Sequence, residues 1–351
     1  MNEHTMKVVD GLRFPFSEAP APGTLIEVVP RLHWLRMPLP YALNHINLWV
    51  LDDGDGWTVV DTGLCTSETQ GLWKQIFAVP LKDKPLLRVI CTHFHPDHIG
   101  LAGWLAEKYQ VPLWVTEKEI KAARTTFEQN ENVMTPILTE HYSRAGLNDA
   151  IAQAVATRGN SYSRRVHRLP ENVIIIDPSK PIEAAGKHWR VIIGEGHSPE
   201  LAALYSEDLG VLISGDQVLP GISHNVSVRP TEPGMNPLAK FLGTLLRFSA
   251  LPEDTFVLPS HKLPFYGLQL RVEQLIKHHH ERLDVARKAC RLGASVSDVL
   301  KIMFERDFDA HQLHFALGET LAHLNFLVAT GEIEMVSDGE LDLYHTLATA
   351  A

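Results

Sequence analysis

Apolar residues in the first part of the chain fall into short runs, not at helical spacing. Between residues 24 and 63 the runs IEVV, HINLWVL and WTVVDTG are rich in β-branched and aromatic side chains, and Pro-rich or Asp-Gly turns separate them. Such runs predict successive strands. Asp52-Asp53-Gly54-Asp55-Gly56 has the composition of a hairpin turn. A helix is expected over about 66–77. The unbroken apolar run LLRVICT at 86–92 then reads as a strand buried on both faces. Beyond His98, Leu101, Leu105 and Tyr109 share one helical face. Strand then helix in this order favours a layered α/β domain.

The pattern changes twice more. Residues 117–168 lose strand character and read as a helical insertion. Strands resume at VIIID, HWRVIIGEG, LGVLISGD and TFVLPS. From about 266 the chain turns helical, with one helix near 268–290. A second is expected from Ser297 as N-cap, and a third spans about 311–330 and stops at Gly331. GEIEMV and LDLYH then flank the turn SDGE as a hairpin. The division expected is 1–265, an α/β domain carrying the insertion, and 266–351, a mostly helical domain that resembles a winged-helix module.

Bulk properties narrow the function. The 351 residues carry 32 Lys and Arg against 42 Asp and Glu, a net charge of -10. Affinity for a phosphate backbone comes mostly from clustered cations, so nucleic acid is disfavoured as the main partner. Residues 266–351 alone hold 8 Lys and Arg against 13 Asp and Glu, the wrong sign for a recognition helix on DNA. Three cysteines, Cys65, Cys91 and Cys290, form no CxxC pair, which argues against a disulfide framework and a thiolate zinc site. Cys91 reads as core. No basic start precedes an apolar run at the N-terminus, and no uninterrupted apolar stretch approaches the ~18 residues of a membrane span. A cytoplasmic protein with no membrane partner is the expectation.

Histidine is the unusual residue, with 19 in the chain. Three of them and one carboxylate fall in Thr92-His93-Phe94-His95-Pro96-Asp97-His98-Ile99-Gly100, just past the buried strand. Imidazole and carboxylate suit zinc and related divalent ions. In an extended loop His93 and His95 point the same way and can share one ion, while Asp97 and His98 lie past the bend and can serve another.

This segment resembles the HxHxDH signature of the metallo-β-lactamase superfamily, and four further motifs follow the family's order. They are Thr58-Val59-Val60-Asp61-Thr62-Gly63, Gly194-Glu195-Gly196-His197-Ser198-Pro199, Ser214-Gly215-Asp216 and Pro259-Ser260-His261. Many relatives have Gly before the last histidine, where this chain has Ser260. The resemblance covers about residues 24–265. It implies a four-layer αββα metallo-β-lactamase sandwich with a helical insertion and a C-terminal winged-helix-like domain, like the glyoxalase II and β-lactamase-like protein 2 group. Carried over, His93, His95 and His197 hold one divalent ion. Asp97, His98 and His261 hold a second, and Asp216 bridges them. Zinc is the first choice, with iron or manganese as alternatives. Asp97 and Asp216 are the expected catalytic carboxylates, and Asp61 orients a ligand loop.

Two ions ~3.5–4 Å apart can share a hydroxide, which suits hydrolysis. The leading reading is a hydrolase of a thioester, ester or lactone of a small molecule. A single-stranded endoribonuclease is the alternative, and an iron-dependent redox enzyme a weaker one. The insertion is expected to act as a lid on the substrate pocket. Its end carries Arg158, Tyr162, Arg164, Arg165, His167 and Arg168, read either as a solvated basic loop or as an anchor for an anionic substrate tail. Tyr162, Arg164, Arg165 and His224 are the candidate substrate contacts. His278-His279-His280 reads as a solvated helix face, and a homodimer is one option for the C-terminal domain.

Overall fold

The computed structural model describes residues 6–41, 43–157 and 159–347, which leaves Arg158 of the basic run outside the described residues. Packing divides the chain into two compact units: 1–128, 162–222 and 244–272, and 129–161, 223–243 and 273–351.

The first unit is built on two large sheets and also holds the two-stranded sheet of Lys7–Val9 and Leu12–Phe14. Seven strands run in the order Leu25–Val29, Leu32–Pro38, His45–Asp52, Trp57–Val60, Leu86–Ile90, Leu113–Val115 and Val173–Ile175. The first four pair antiparallel and the last three join in parallel. Five more strands follow in the order Ile182–Ala184, Lys187–Gly194, Leu201–Ser206, Val211–Gly215 and Phe256–Pro259. One apolar core joins the two sheets through Trp34, Trp49, Trp189, Ile213 and Leu258. A second joins the other face of the larger sheet, through Met37, Leu48 and Val59, to Trp73, Ile76, Ala102 and Leu105 of the helices Ser67–Ala78 and Ala102–Tyr109. On the smaller sheet, from the helix Pro237–Ser249, Arg247 donates to the Ile193 carbonyl at 2.9 Å and Thr244 Oγ1 accepts from the Glu195 amide at 3.1 Å. Helix, sheet, sheet and helix are thus the four layers expected.

Most predicted elements are present, and seven strands among the described residues were not foreseen: Lys7–Val9, Leu12–Phe14, Leu32–Pro38, Leu113–Val115, Ile182–Ala184, Ala294–Ser295 and, most instructively, Leu201–Ser206. The last, LAALYS, has helix-forming composition, yet every residue of it is buried between paired neighbours. Burial on both faces outweighs a propensity worth only tenths of a kcal/mol per residue.

The insertion is helical as expected, over Glu117–Phe127, Glu131–Arg144 and Asp149–Ala156. It does not stay together, since residues 129–161 belong to the second unit. There Arg144 pairs with Asp342 at 2.9 Å, the Ser297 amide donates to the Ala145 carbonyl at 2.8 Å, and Tyr142 meets His314 Nδ1 at 2.6 Å.

The C-terminal helices span Leu268–Ala289, Val296–Met303 and Ala310–Ala329, and the hairpin pairs Ile333–Ser337 with Asp342–Thr346. The N-cap of the middle helix is Ser295, not Ser297: its hydroxyl and the Asp298 carboxylate form a capping box. The histidine tract is a solvated face only in part: His280 is exposed and His278 half-buried, but the middle residue turns inward. His279 is fully buried, with Nδ1 at 3.2 Å from Nε2 of the equally buried His323. Cys91 is buried as expected. Among the described residues no helix is long and apolar enough to cross a membrane.

Candidate metal centre

The ligand candidates sit at or just beyond strand ends. His93, His95, Asp97 and His98 follow the strand Leu86–Ile90. His197, Asp216 and His261 follow Lys187–Gly194, Val211–Gly215 and Phe256–Pro259 in the other sheet. Two rigid sheets therefore aim the side chains of four loops at one place.

Seven side chains converge there. His93, His95, His197 and Asp216 form one group, and Asp97, His98 and His261 a second; within each group the ligand atoms lie within 4.8 Å of one another. Nε2 of His93 is 3.0 Å from Nδ1 of His95 and 3.2 Å from Nε2 of His197. Facing imidazole nitrogens repel unless a proton or cation lies between them. Among the described residues Nε2 of the buried His98 has no hydrogen-bond partner, and the carboxylate oxygens of Asp216 at 3.5 Å and Asp97 at 3.8 Å are too far for good hydrogen bonds. Asp216 touches both groups: one oxygen is 3.3 Å from His197 Nε2, the other 3.4 Å from His261 Nε2. The donor chemistry and the convergence fit divalent cations.

The electrostatics differ between the groups. Burial and the surrounding imidazoles hold His93 well below the usual histidine range and His95 down to about 3. These rings present neutral nitrogens. Burial opposes charge on His98 and His261 too, but Asp61, Asp216 and Asp97 outweigh it at His98, and Asp216 and Asp97 push His261 up to about 10. Burial likewise disfavours the ionised carboxylates, yet His98 and His261 bring Asp97 down to about 2 and hold Asp216 well below the normal range. The cluster is a set of carboxylates that demands positive charge.

A second ring of contacts fixes the ligands. Asp61 accepts from the Thr92 amide at 2.8 Å and lies 2.8 Å from His98 Nδ1, leaving Nε2 for the centre. His261 Nδ1 lies 2.9 Å from the His45 carbonyl, which selects the tautomer whose Nε2 faces Asp97 and Asp216. Asn47 donates to the carbonyls of Pro259 and Lys262, both at 2.8 Å, and so clamps the loop of His261.

Two of these partners escaped sequence reasoning, as did Glu119. The buried Glu119 carboxylate accepts from the Phe94 amide at 2.9 Å, the Ser198 hydroxyl at 2.7 Å and the Glu200 amide at 2.6 Å. It ties the loop of His93 and His95 to the loop of His197. Nothing local marks Glu119, Asn47 or His45, because their partners lie 25 to 216 residues away.

The proposed substrate contacts are dispersed. Tyr162 is buried, its hydroxyl donating to the Phe94 carbonyl at 2.6 Å. Arg165 is half-buried, with its guanidinium 5.3 Å from the centre of the Tyr41 ring, and Arg164 is exposed. His224 is buried in the second unit, its ring centre 5.1 Å from that of Phe241.

The sequence model of the metallo-β-lactamase superfamily matches residues 42–261, well over half the chain. The chain belongs to the metallo-β-lactamase superfamily. Residues 283–344 match the metallo-β-lactamase-like C-terminal domain. A β-lactamase domain protein from Burkholderia ambifaria is 42% identical, with a TM-score of 0.88 over 96% of this chain and 98% of that one. A metallo-β-lactamase family protein from Thermus thermophilus is 27% identical, with a TM-score of 0.76 over 91% of this chain and 100% of that one. The probable metallo-hydrolase YqjP of Bacillus subtilis is 24% identical over 322 residues, which cover 89% of this chain and 97% of YqjP. This superfamily member is a metal-dependent hydrolase with a His/Asp centre suited to divalent metal.

Proposed function

We propose that the chain hydrolyses an acyl ester or thioester of a small molecule, lactones included, at a centre of two divalent ions, zinc by preference. The observation that carries this reading is Asp216, whose two oxygens reach His197 on one side and His261 on the other at 3.3 and 3.4 Å. On this reading His93, His95 and His197 hold one ion, Asp97, His98 and His261 the other, and Asp216 both. Two ions so held would supply an activated water near neutral pH and polarise the acyl carbonyl.

The chain's own residues do the rest. Asp97 is the more exposed of the two carboxylates, at 21% against 9% for Asp216, so it faces the substrate side. Besides helping to hold an ion, its carboxylate would accept the proton of the attacking water and return it to the leaving oxygen or sulfur. Asp61 holds His98 in one tautomer, and the His45 carbonyl does the same for His261. No protein nucleophile is needed, so no covalent acyl-enzyme forms. The acidic chain suits a small substrate better than a polyanionic strand.

Elemental analysis of gently purified protein tests the centre and should return near two equivalents of metal. Catalytic efficiency on 4-nitrophenyl esters, acyl thioesters, lactones and single-stranded RNA tests the bond, with His95→Ala as contamination control. Metal-dependent RNA cleavage lost in His95→Ala, with no acyl turnover, overturns the reading.

A further inference from the structure

The segment 162–168 is fastened to the metal-binding loops and their neighbours at three points. Tyr162 donates to the Phe94 carbonyl at 2.6 Å, the Cys65 amide donates to the Arg165 carbonyl at 2.9 Å, and the His167 amide donates to the Gly100 carbonyl at 2.7 Å. Gly103 allows this approach: a Cβ there would lie 1.9 Å from the Arg168 carbonyl oxygen. The guanidinium of Arg165 therefore projects from a fixed backbone, which is what a binding residue requires.

That guanidinium lies 5.3 Å from the centre of the Tyr41 ring, and among the described residues it forms no ion pair with a carboxylate. Tyr41 sits on the connection between the strands Leu32–Pro38 and His45–Asp52. Its phenol senses both neighbours. Burial raises its pKa most, the Arg165 charge opposes that rise, and the Asp97 carboxylate adds to it. Geometry ties Arg165 to the centre by another route: Tyr162, three residues before it, donates to the carbonyl of Phe94, which lies between His93 and His95. A guanidinium held over an aromatic face is attracted to it and is only weakly hydrated, so its fork of donors stays available. With no acid to satisfy it, the fork suits an oxyanion.

We infer that Tyr41 and Arg165 form an oxyanion-binding subsite beside the loop of His93 and His95, so that the ester cleaved carries a negative charge on a part that is not broken. The inference rests on the hydrolytic reading above and names its substrate class. Carboxylate and phosphate share the required chemistry.

The test uses the full chain loaded with zinc and 4-nitrophenyl esters in matched sets. One acyl chain ends in a free carboxylate, one in a phosphonate and one in the methyl-capped neutral carboxylate. The wild type should prefer an anionic ester over the neutral one by about tenfold or more in kcat/KM. The terminus with the larger preference identifies the source of the charge. Arg165→Gln should bring that ratio close to one, mainly through KM, with zinc content unchanged as the check on folding. Tyr41→Ala, which removes the platform and keeps the charge, should lower the ratio as well. A wild-type ratio near one, an Arg165→Gln loss that is equal on charged and neutral esters, or an intact ratio in Tyr41→Ala overturns the subsite. If no ester is turned over, the acyl-ester reading fails. Calorimetric titration of the zinc protein with glutarate and inorganic phosphate then decides the subsite: binding at least about tenfold weaker in Arg165→Gln supports it, and equal binding refutes it.

Discussion

The Asp61 carboxylate meets Nδ1 of His98 at 2.8 Å, on the side of the ring away from the other ligands. Asp61 has a left-handed φ of 62°, a conformation that Asp and Asn adopt more readily than most residues, so Asp61→Asn preserves the turn. It replaces one acceptor oxygen by a donor amide. Affinity at the His98 side should fall about 10–100-fold, as is typical when a ligand's outer partner is lost. A competitive chelator titration measures it, and unchanged affinity would reduce Asp61 to a turn residue.

Glu119 joins both loops of the first ligand group. Glu119→Ala leaves the Phe94 amide, the Ser198 hydroxyl and the Glu200 amide without their acceptor. Each buried unsatisfied donor costs about 1–3 kcal/mol, though water can enter the space left, so a net loss of at least about 2 kcal/mol is expected. Denaturant unfolding of the metal-free protein isolates this effect from metal affinity. A loss below about 0.5 kcal/mol would contradict the clamp.

Metal removal should destabilise the first unit. Without cations the facing nitrogens of His93 and His197, 3.2 Å apart, and the Asp216 carboxylate lose their common partner. A cation bound to the folded state only, at 100 times its Kd, adds about 2.7 kcal/mol. Chelation should therefore lower Tm by several degrees, and Asp216→Ala should abolish most of that difference. Equal Tm with and without chelator would count against the site.

The second unit should be acid-sensitive. Burial and neighbouring charges bring His279 down to about 2, and burial brings His323 down to about 4. Unfolded histidines take up protons below about 6.5, while these two in the folded chain do not. Protons thus favour the unfolded chain, and the stability present above about pH 6.5 is lost as pH falls from there towards about 4. The slope can reach about 1.4 kcal/mol per pH unit for each histidine. Unfolding profiles of the wild type and of His279→Leu combined with His323→Leu should converge in slope at high pH and diverge below about 6.5. Parallel profiles across that range would show that the pair is not the cause.

The candidate cluster was legible because it is local chemistry. Four ligand candidates, His93, His95, Asp97 and His98, crowd into six positions, and the others sit at the ends of apolar runs that announce strands. Strand ends are where short loops must turn, so the order of motifs already implied convergence. The paired strands Val211–Gly215 and Phe256–Pro259 bring Asp216 and His261 near each other although 45 positions separate them.

Only the tertiary structure decided what holds that set. The strand Leu201–Ser206 is imposed by neighbours on both sides, against its own composition. His279 lies inward because His323, 44 residues later, completes its surroundings. Glu119, Asn47 and the His45 carbonyl act across 25 to 216 residues, distances at which no periodicity or spacing carries information. The sequence determined which atoms can bind metal, because that is a property of side-chain chemistry. The fold decided which atoms hold those ligands still, because hydrogen-bond partners are chosen by proximity in space and not along the chain.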